Sequence, residues 1–190
     1  MKKYNQEDMS RKYKIRDQNF PHFVSFSVVH WIDLFTRDLY RQTVIESIKY
    51  CQNEKGLIVY AWCIMTNHVH LIIGTRDKPM QDILRDMKRY TSKKLRSEIT
   101  NNQRESRKKW IIWMLKKAGK ANNNNNDWQL WQQHNHPIEL RYNDMLSTRL
   151  KYLHNNPVKE GFVEKPEHWL YSSAGDYCGR KGMLDVMLIE

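Results

Sequence analysis

The chain has 190 residues, 40% of them hydrophobic and 12% aromatic, which is enough for one domain with a sizeable core and gives no reason for two. The longest unbroken apolar run, Leu57 to Met65, falls far short of the ~18–20 residues of a membrane span, and the opening MKKYNQEDMSRKYK holds no apolar signal segment, so a cytoplasmic protein with no membrane role is expected. The formal charge is +11, and between Arg85 and Lys120 thirteen Lys or Arg face three acids, a surplus that points to a polyanion partner, while Cys51, Cys63 and Cys178 fit neither a disulfide framework nor a Cys-rich zinc site.

Residues 1 to 20 are polar and aperiodic and read as a mobile basic tail. Phe23 to Val29 is rich in β-formers and reads as a first strand. From Leu39 to Gln52, Val44, Ile45, Ile48 and Cys51 share one helical face, with Thr36 as the expected cap and Gly56 as the stop. Leu57 to Met65 is apolar on both faces, as a central strand is, and Thr66-Asn67 has turn chemistry, so His68 to Thr75 should return as the second arm of a hairpin. Met80 to Ile99 is an amphipathic helix with its basic residues largely outside. Trp110 to Leu115 is either a further helix or an exposed aromatic element, and tryptophans at helical spacing are more often core. The Asn122 to Asn126 tract is a loop, and residues 101 to 127 together read as a basic, Asn-rich insertion. Trp128 to Leu140 is strand-like but interrupted by Pro137, which suits a sheet edge. Asn143 or Asp144 starts a last helix that Pro157 ends at about Asn155, and 179–190 forms a C-terminal tail. The order β-α-β-β-α-β then helix predicts an α+β, ferredoxin-like fold over residues 21–178: one antiparallel sheet, helices packed on one face, and the active site on the other.

Within the hairpin, alternation turns His68, His70 and Ile72 to one side and Val69, Leu71 and Ile73 to the other. The second set can face the helices, which leaves two imidazoles side by side, close enough to ligate one metal ion; the bland alternative is a pair of surface histidines. On the last helix Leu146, Leu150 and Leu153 form the docking stripe. Tyr152 and Asn156, four apart, lie about 100° round from it and flank the seam. Taken alone they could equally be a half-buried aromatic and a helix stop.

His68-Val69-His70 after the turn Met65-Thr66-Asn67, followed far downstream by Tyr152-Leu-His-Asn-Asn-Pro-Val-Lys-Glu-Gly161-Phe-Val, resembles the single-tyrosine transposases of the HUH class. The nearest likeness is to the REP-associated tyrosine transposases, relatives of the small insertion-sequence transposases, and Trp169-Leu-Tyr-Ser-Ser-Ala174 is similar to that family's tail. The resemblance covers about residues 20 to 178. It implies that His68, His70 and Asn156 hold a divalent metal, Mg²⁺ or Mn²⁺, and that Tyr152 is the nucleophile. The implied reaction cuts single-stranded DNA beside a hairpin, a REP-like palindrome, through a 5′-phosphotyrosine, and rejoins it to another end. Ligand softness alone would favour zinc or manganese for an imidazole pair. Arg85, Lys88, Arg89, Lys93, Lys94, Arg96, Lys108 and Lys109 are the candidate DNA-binding residues, with Trp110 and Trp113 as stacking candidates. Monomer and homodimer both fit, as do a tyrosine acting on its own histidines and one acting on a partner's.

Four other readings compete. His134-Asn135-His136 is a second histidine pair whose letters suggest a metal nuclease, but Pro137 makes it a local edge feature, an auxiliary site at most. A hairpin-binding regulator without catalysis and a metal nuclease using water share the fold and differ in whether DNA becomes bonded to Tyr152. A replication initiator of the same class would bring further domains for which 190 residues leave no room.

Overall fold

The computed structural model describes residues 15, 17–122, 127–133 and 135–189; most of the expected N-terminal tail and His134 lie outside them. In chain order the elements are β1 (His22–Ser27), α1 (Asp38–Lys55), β2 (Leu57–Ile64), β3 (His68–Thr75), α2 (Met80–Asn101), α3 (Lys108–Lys120), β4 (Ile138–Glu139) and α4 (Asn143–Lys159). Short 3₁₀ turns lie at Val29–Trp31, Pro166–His168 and Asp176–Cys178. The four strands form one open antiparallel sheet in the order β2-β3-β1-β4, so β3 splits the β1-α1-β2 unit as the ferredoxin-like arrangement requires.

Strand alternation divides the core in two. Val24, Phe26, Val69, Leu71 and Ile73 face α1 and α2 and join Tyr40, Val44, Ile48, Ile83, Leu84, Met87 and Leu95 in the larger cluster. Phe23, Ala61, Cys63 and Ile72 point the other way, and α4 lies across them through Met145, Leu146, Leu150 and Leu153. The last helix thus covers part of the second face and brings its side chains to the histidines. Edge protection at β2 comes from the tail. Tyr171 O accepts from Ile64 N at 2.9 Å, Ser173 N donates to Trp62 O at 2.9 Å, and Met187 N donates to Val59 O at 2.9 Å. Ser173 Oγ also bonds Trp62 N and His154 Nε2, each at 2.9 Å, and so ties α4 to β2. Leu184 of the final segment is buried.

Gly56 ends α1 with φ 70°, the left-handed cap that glycine takes without strain. At the other end of α1, Thr36 is not the cap: the helix begins one residue later, Arg37 occupies the cap position, and the Thr36 hydroxyl accepts from Arg107 at 3.1 Å. Trp110 to Leu115 falls inside α3, yet Trp110 and Trp113 are exposed, because Ile111, Leu115 and Ala118 already make the buried stripe. Residues 130–133 and Asn135 do run beside β1, through bonds from Val29 N to Leu130 O, Gln132 N to Ser27 O and Ser25 N to Asn135 O, but regular pairing is confined to Ile138–Glu139. Pro137 lacks the N–H that a continuous ladder needs, and Trp128, Leu130 and Trp131 are held as core plugs.

Pro157 does not end the last helix. α4 runs to Lys159, with Glu160 N bonded to Asn156 O at 3.1 Å and Phe162 N to Pro157 O at 2.9 Å. Pro157 deletes one bond, the one its own nitrogen would make to the carbonyl of Leu153, and the turns on either side continue around it with its ring buried. Asn156 therefore keeps a helical aim.

Candidate active site

The register places Ser25, His70 and Cys63 in one row across three strands, with Ser27 opposite His68 in the next row. The two imidazoles stand with ring centroids 4.6 Å apart. His70 is 5% exposed; it lies against Phe23 at 5.2 Å and meets the edge of the Tyr152 ring at 5.5 Å. Tyr152 is of the same chain, so in this structure the tyrosine stands beside its own histidines. Spacings of three, four and three put Arg149, Tyr152, Asn156 and Lys159 on one stripe of α4. The cations flank the phenol ring, Arg149 at 6.0 Å and Lys159 at 5.3 Å, and Arg149 also lies 5.4 Å from the Phe23 ring. Asn156, one turn beyond Tyr152, is buried.

Burial controls the state of the imidazoles. It pushes His68 down to about 4. His70 falls to about 3, chiefly by burial, with His68 and Arg149 adding repulsion. Both are neutral at physiological pH, with lone pairs available. His68 Nδ1 lies 2.7 Å from Asn67 Oδ1, whose amide nitrogen donates to Asp33 Oδ1 at 2.9 Å. An amide oxygen only accepts, so the proton belongs on Nδ1 and Nε2 is left free to ligate. Thr66 Oγ1 donates to the same Asp33 oxygen at 2.6 Å. The Thr66-Asn67 turn, read in the sequence as backbone chemistry, also orients the first histidine. Among the described residues, His70 has no hydrogen-bond partner on either ring nitrogen. A buried imidazole with both nitrogens orphaned, beside a second whose Nε2 is free, fits a metal ligand pair. Among the described residues no third His, Cys, Asp or Glu joins them.

The candidate DNA-binding residues divide. Arg89, Lys93 and Lys109 are exposed and make no ion pair with a described residue. Arg85 pairs with Asp82 and Asp86, Lys94 with Glu98, and Arg96 with Asp127, while Lys108 donates to Thr100 O at 3.3 Å. Lys88 turns inward to Gln132 O and Asn135 Oδ1, each at 2.8 Å, and burial pushes it down to about 8. It is a brace for Gln132 and Asn135. His136 lies exposed just before β4 with φ 43°, and its partner in the second histidine pair, His134, lies outside the described residues.

The IS200-like transposase family matches residues 22–134, more than half of the chain. The chain belongs to that family. Its field of action is therefore DNA transposition, and the resemblance read from the two motifs holds. The matched span contains His68 and His70 and stops short of α4. No curated protein matches the chain in sequence. Among solved structures, a REP-associated tyrosine transposase bound to a REP hairpin is similar, with a TM-score of 0.64 at 15% identity over 98% of this chain and 92% of that one. That likeness is one of fold. No described helix of this IS200-like transposase is long and apolar enough to cross a membrane.

The histidine pair and Tyr152 are brought together as the motifs implied, and Asn156 lies on the same helical stripe. Arg149 and Lys159 were legible as charged members of that stripe but pass as solvated surface until the helix is docked. Asp33 carries no signal in the sequence, since a lone acid in WIDLF has no motif.

Proposed function

We propose that this transposase is a metal-dependent single-strand DNA endonuclease and strand transferase whose nucleophile is Tyr152, acting beside a DNA hairpin as the similar solved protein binds one. The observation that carries the proposal is the 5.5 Å approach of the Tyr152 ring to His70, the imidazole whose two nitrogens have no hydrogen-bond partner among the described residues. His68, His70 and Asn156 would hold Mg²⁺ or Mn²⁺. Bound there, the ion would supply Lewis-acid polarisation of the scissile phosphate.

Tyr152 Oη attacks phosphorus, the bond from phosphorus to the 3′-oxygen breaks, and the strand end becomes a 5′-phosphotyrosine ester. The phenol gives up one proton and the departing 3′-oxygen takes one, so no net proton is consumed. One ester replaces another, and a 3′-hydroxyl can therefore reverse the step on a different end without ATP. Arg149 and Lys159 set positive charge on both flanks of the phenol, where the anionic phosphate must enter. Docking α4 on Ala61, Cys63 and Ile72 fixes the ring before substrate arrives, which removes much of the entropic cost of orientation. The exposed cations Arg89, Lys93 and Lys109 would grip the duplex stem, with Trp110 and Trp113 available for bases.

The test is Tyr152→Phe with a hairpin oligonucleotide, a single-stranded flank and Mn²⁺. The variant keeps the ring and the helix, so hairpin binding should persist while cleavage and the denaturant-resistant adduct disappear. With the unchanged protein, label placed 3′ of the break should stay on the protein, and the other fragment should prime a polymerase. Cleavage with no adduct would make water the nucleophile; hairpin binding with neither would make the chain a regulator.

A further inference from the structure

Beyond β1 the chain crosses the mouth of the site on an unusual backbone. His30 and Trp31 have φ of 57° and 53°, two successive left-handed residues neither of which is glycine. Such a conformation is costly for a bulky side chain and persists only where surroundings impose it. Here they do. Trp31 N donates to Val28 O at 3.1 Å, and Val28, Val29, Ile32, Leu34 and Phe35 are all buried around the bend. The bend turns outward the two residues that the core does not take. The Trp31 indole is 57% exposed and stands edge-on to His68 at 6.0 Å. Its carbonyl lies 3.5 Å from Asn67 Nδ2, on the same asparagine that orients His68.

The rings make a row: Trp31 against His68, His68 against His70, His70 against Tyr152. A phosphodiester seated over the histidine pair would have the nucleophile at one end and the indole at the other. In-line displacement sends the leaving 3′-oxygen away from the attacking phenol, which is toward Trp31. Resting on the function proposed above, we infer that Trp31 is the stacking platform for the base of the nucleotide immediately 5′ of the break. It would hold that nucleotide through cleavage and keep the freed 3′-hydroxyl near the phosphotyrosine. An exposed indole on a strongly basic chain suits a nucleobase, whose flat face any sequence offers and whose phosphates the surrounding charge attracts.

The experiment uses the full chain carrying Tyr152→Phe, hairpin oligonucleotides with a single-stranded flank, and 2-aminopurine placed at each flank position in turn. One position should change its fluorescence on binding with Trp31 present and lose that change in Trp31→Leu. Where wild-type protein cuts, that position should be the nucleotide 5′ of the break. Trp31→Leu should weaken binding of the flanked hairpin by about five- to a hundred-fold and leave affinity for the hairpin alone unchanged; Trp31→Phe should restore part of the loss. A flank scan identical in the Leu variant, or equal weakening on the bare hairpin, would overturn the assignment. The readout needs no cleavage, so it stands even if Tyr152 proves not to be the nucleophile; a Trp31-dependent position found 3′ of the break would overturn the stated side.

Discussion

Replacing His70 by leucine should make the metal-free protein more stable while destroying its response to metal. His70 is 5% exposed, and neither ring nitrogen has a hydrogen-bond partner among the described residues. Each unpaired buried polar atom costs roughly 1–3 kcal/mol in lost hydration. Leucine has similar volume, and volume-conserving swaps in a core usually cost less than about 1.5 kcal/mol. Its neighbours suit it: Phe23 at 5.2 Å, and Cys63 opposite it on β2. Two such atoms cost roughly 2–6 kcal/mol, so the balance is a gain of about 0.5–4.5 kcal/mol, and for a chain of this length each kcal/mol moves the melting temperature by about 2–4 °C. The assay is thermal melting of His70→Leu and wild type in EDTA and in excess Mn²⁺. Wild type should rise with Mn²⁺, by about 2.7 kcal/mol at a hundredfold excess over Kd, and the variant should not. A variant that melts lower than wild type in EDTA would mean that the imidazole belongs to the core by its packing, and an equal Mn²⁺ shift in both would place the ion elsewhere.

Burial pushes His154 down to about 4, so it is neutral when folded and takes a proton at about 6.5 when unfolded; this share of stability is complete above pH 6.5 and is lost as pH falls toward 4, up to about 3 kcal/mol. Urea midpoints in EDTA at pH 7.5 and 4.5 should diverge less in His154→Gln than in wild type. Reversing Arg89, Lys93 and Lys109 to Glu should weaken hairpin binding and flatten the plot of log affinity against log salt by about 0.9 for each phosphate no longer neutralised; an unchanged slope would return that face to solvation. Gly119→Ala, which helix propensity alone would favour by about 1 kcal/mol, should instead cost more than about 2 kcal/mol in a urea titration, because the new methyl overlaps the backbone of Asp127 and Trp128.

Much of the site was legible because its parts are local. The bounds of β3, the faces of its histidines, the Gly56 stop and the shared stripe of Tyr152 and Asn156 follow from periods of 2 and 3.6 acting on neighbouring residues. Less was legible where a residue's role depends on what lies opposite. Lys88 reads like any other lysine in a basic helix until Gln132 and Asn135 supply its acceptors. Trp110 and Trp113 read as core until Ile111 and Leu115 take the inner stripe.

Sequence alone determined which residues can do chemistry: an imidazole pair on one face of a strand, a phenol and an amide one helical turn apart, and a run of cations, all set by spacing along a single element. Only the tertiary structure decided that α4 crosses the second face of the sheet, that its proline lies within the last turn and leaves Asn156 helical, and that Asp33 and Trp31, distant in sequence from α4, frame the same histidines. The physical reason is that periodicity fixes where a side chain points from its own backbone, whereas what it meets there depends on long-range packing of apolar stripes, which any one segment states only in half.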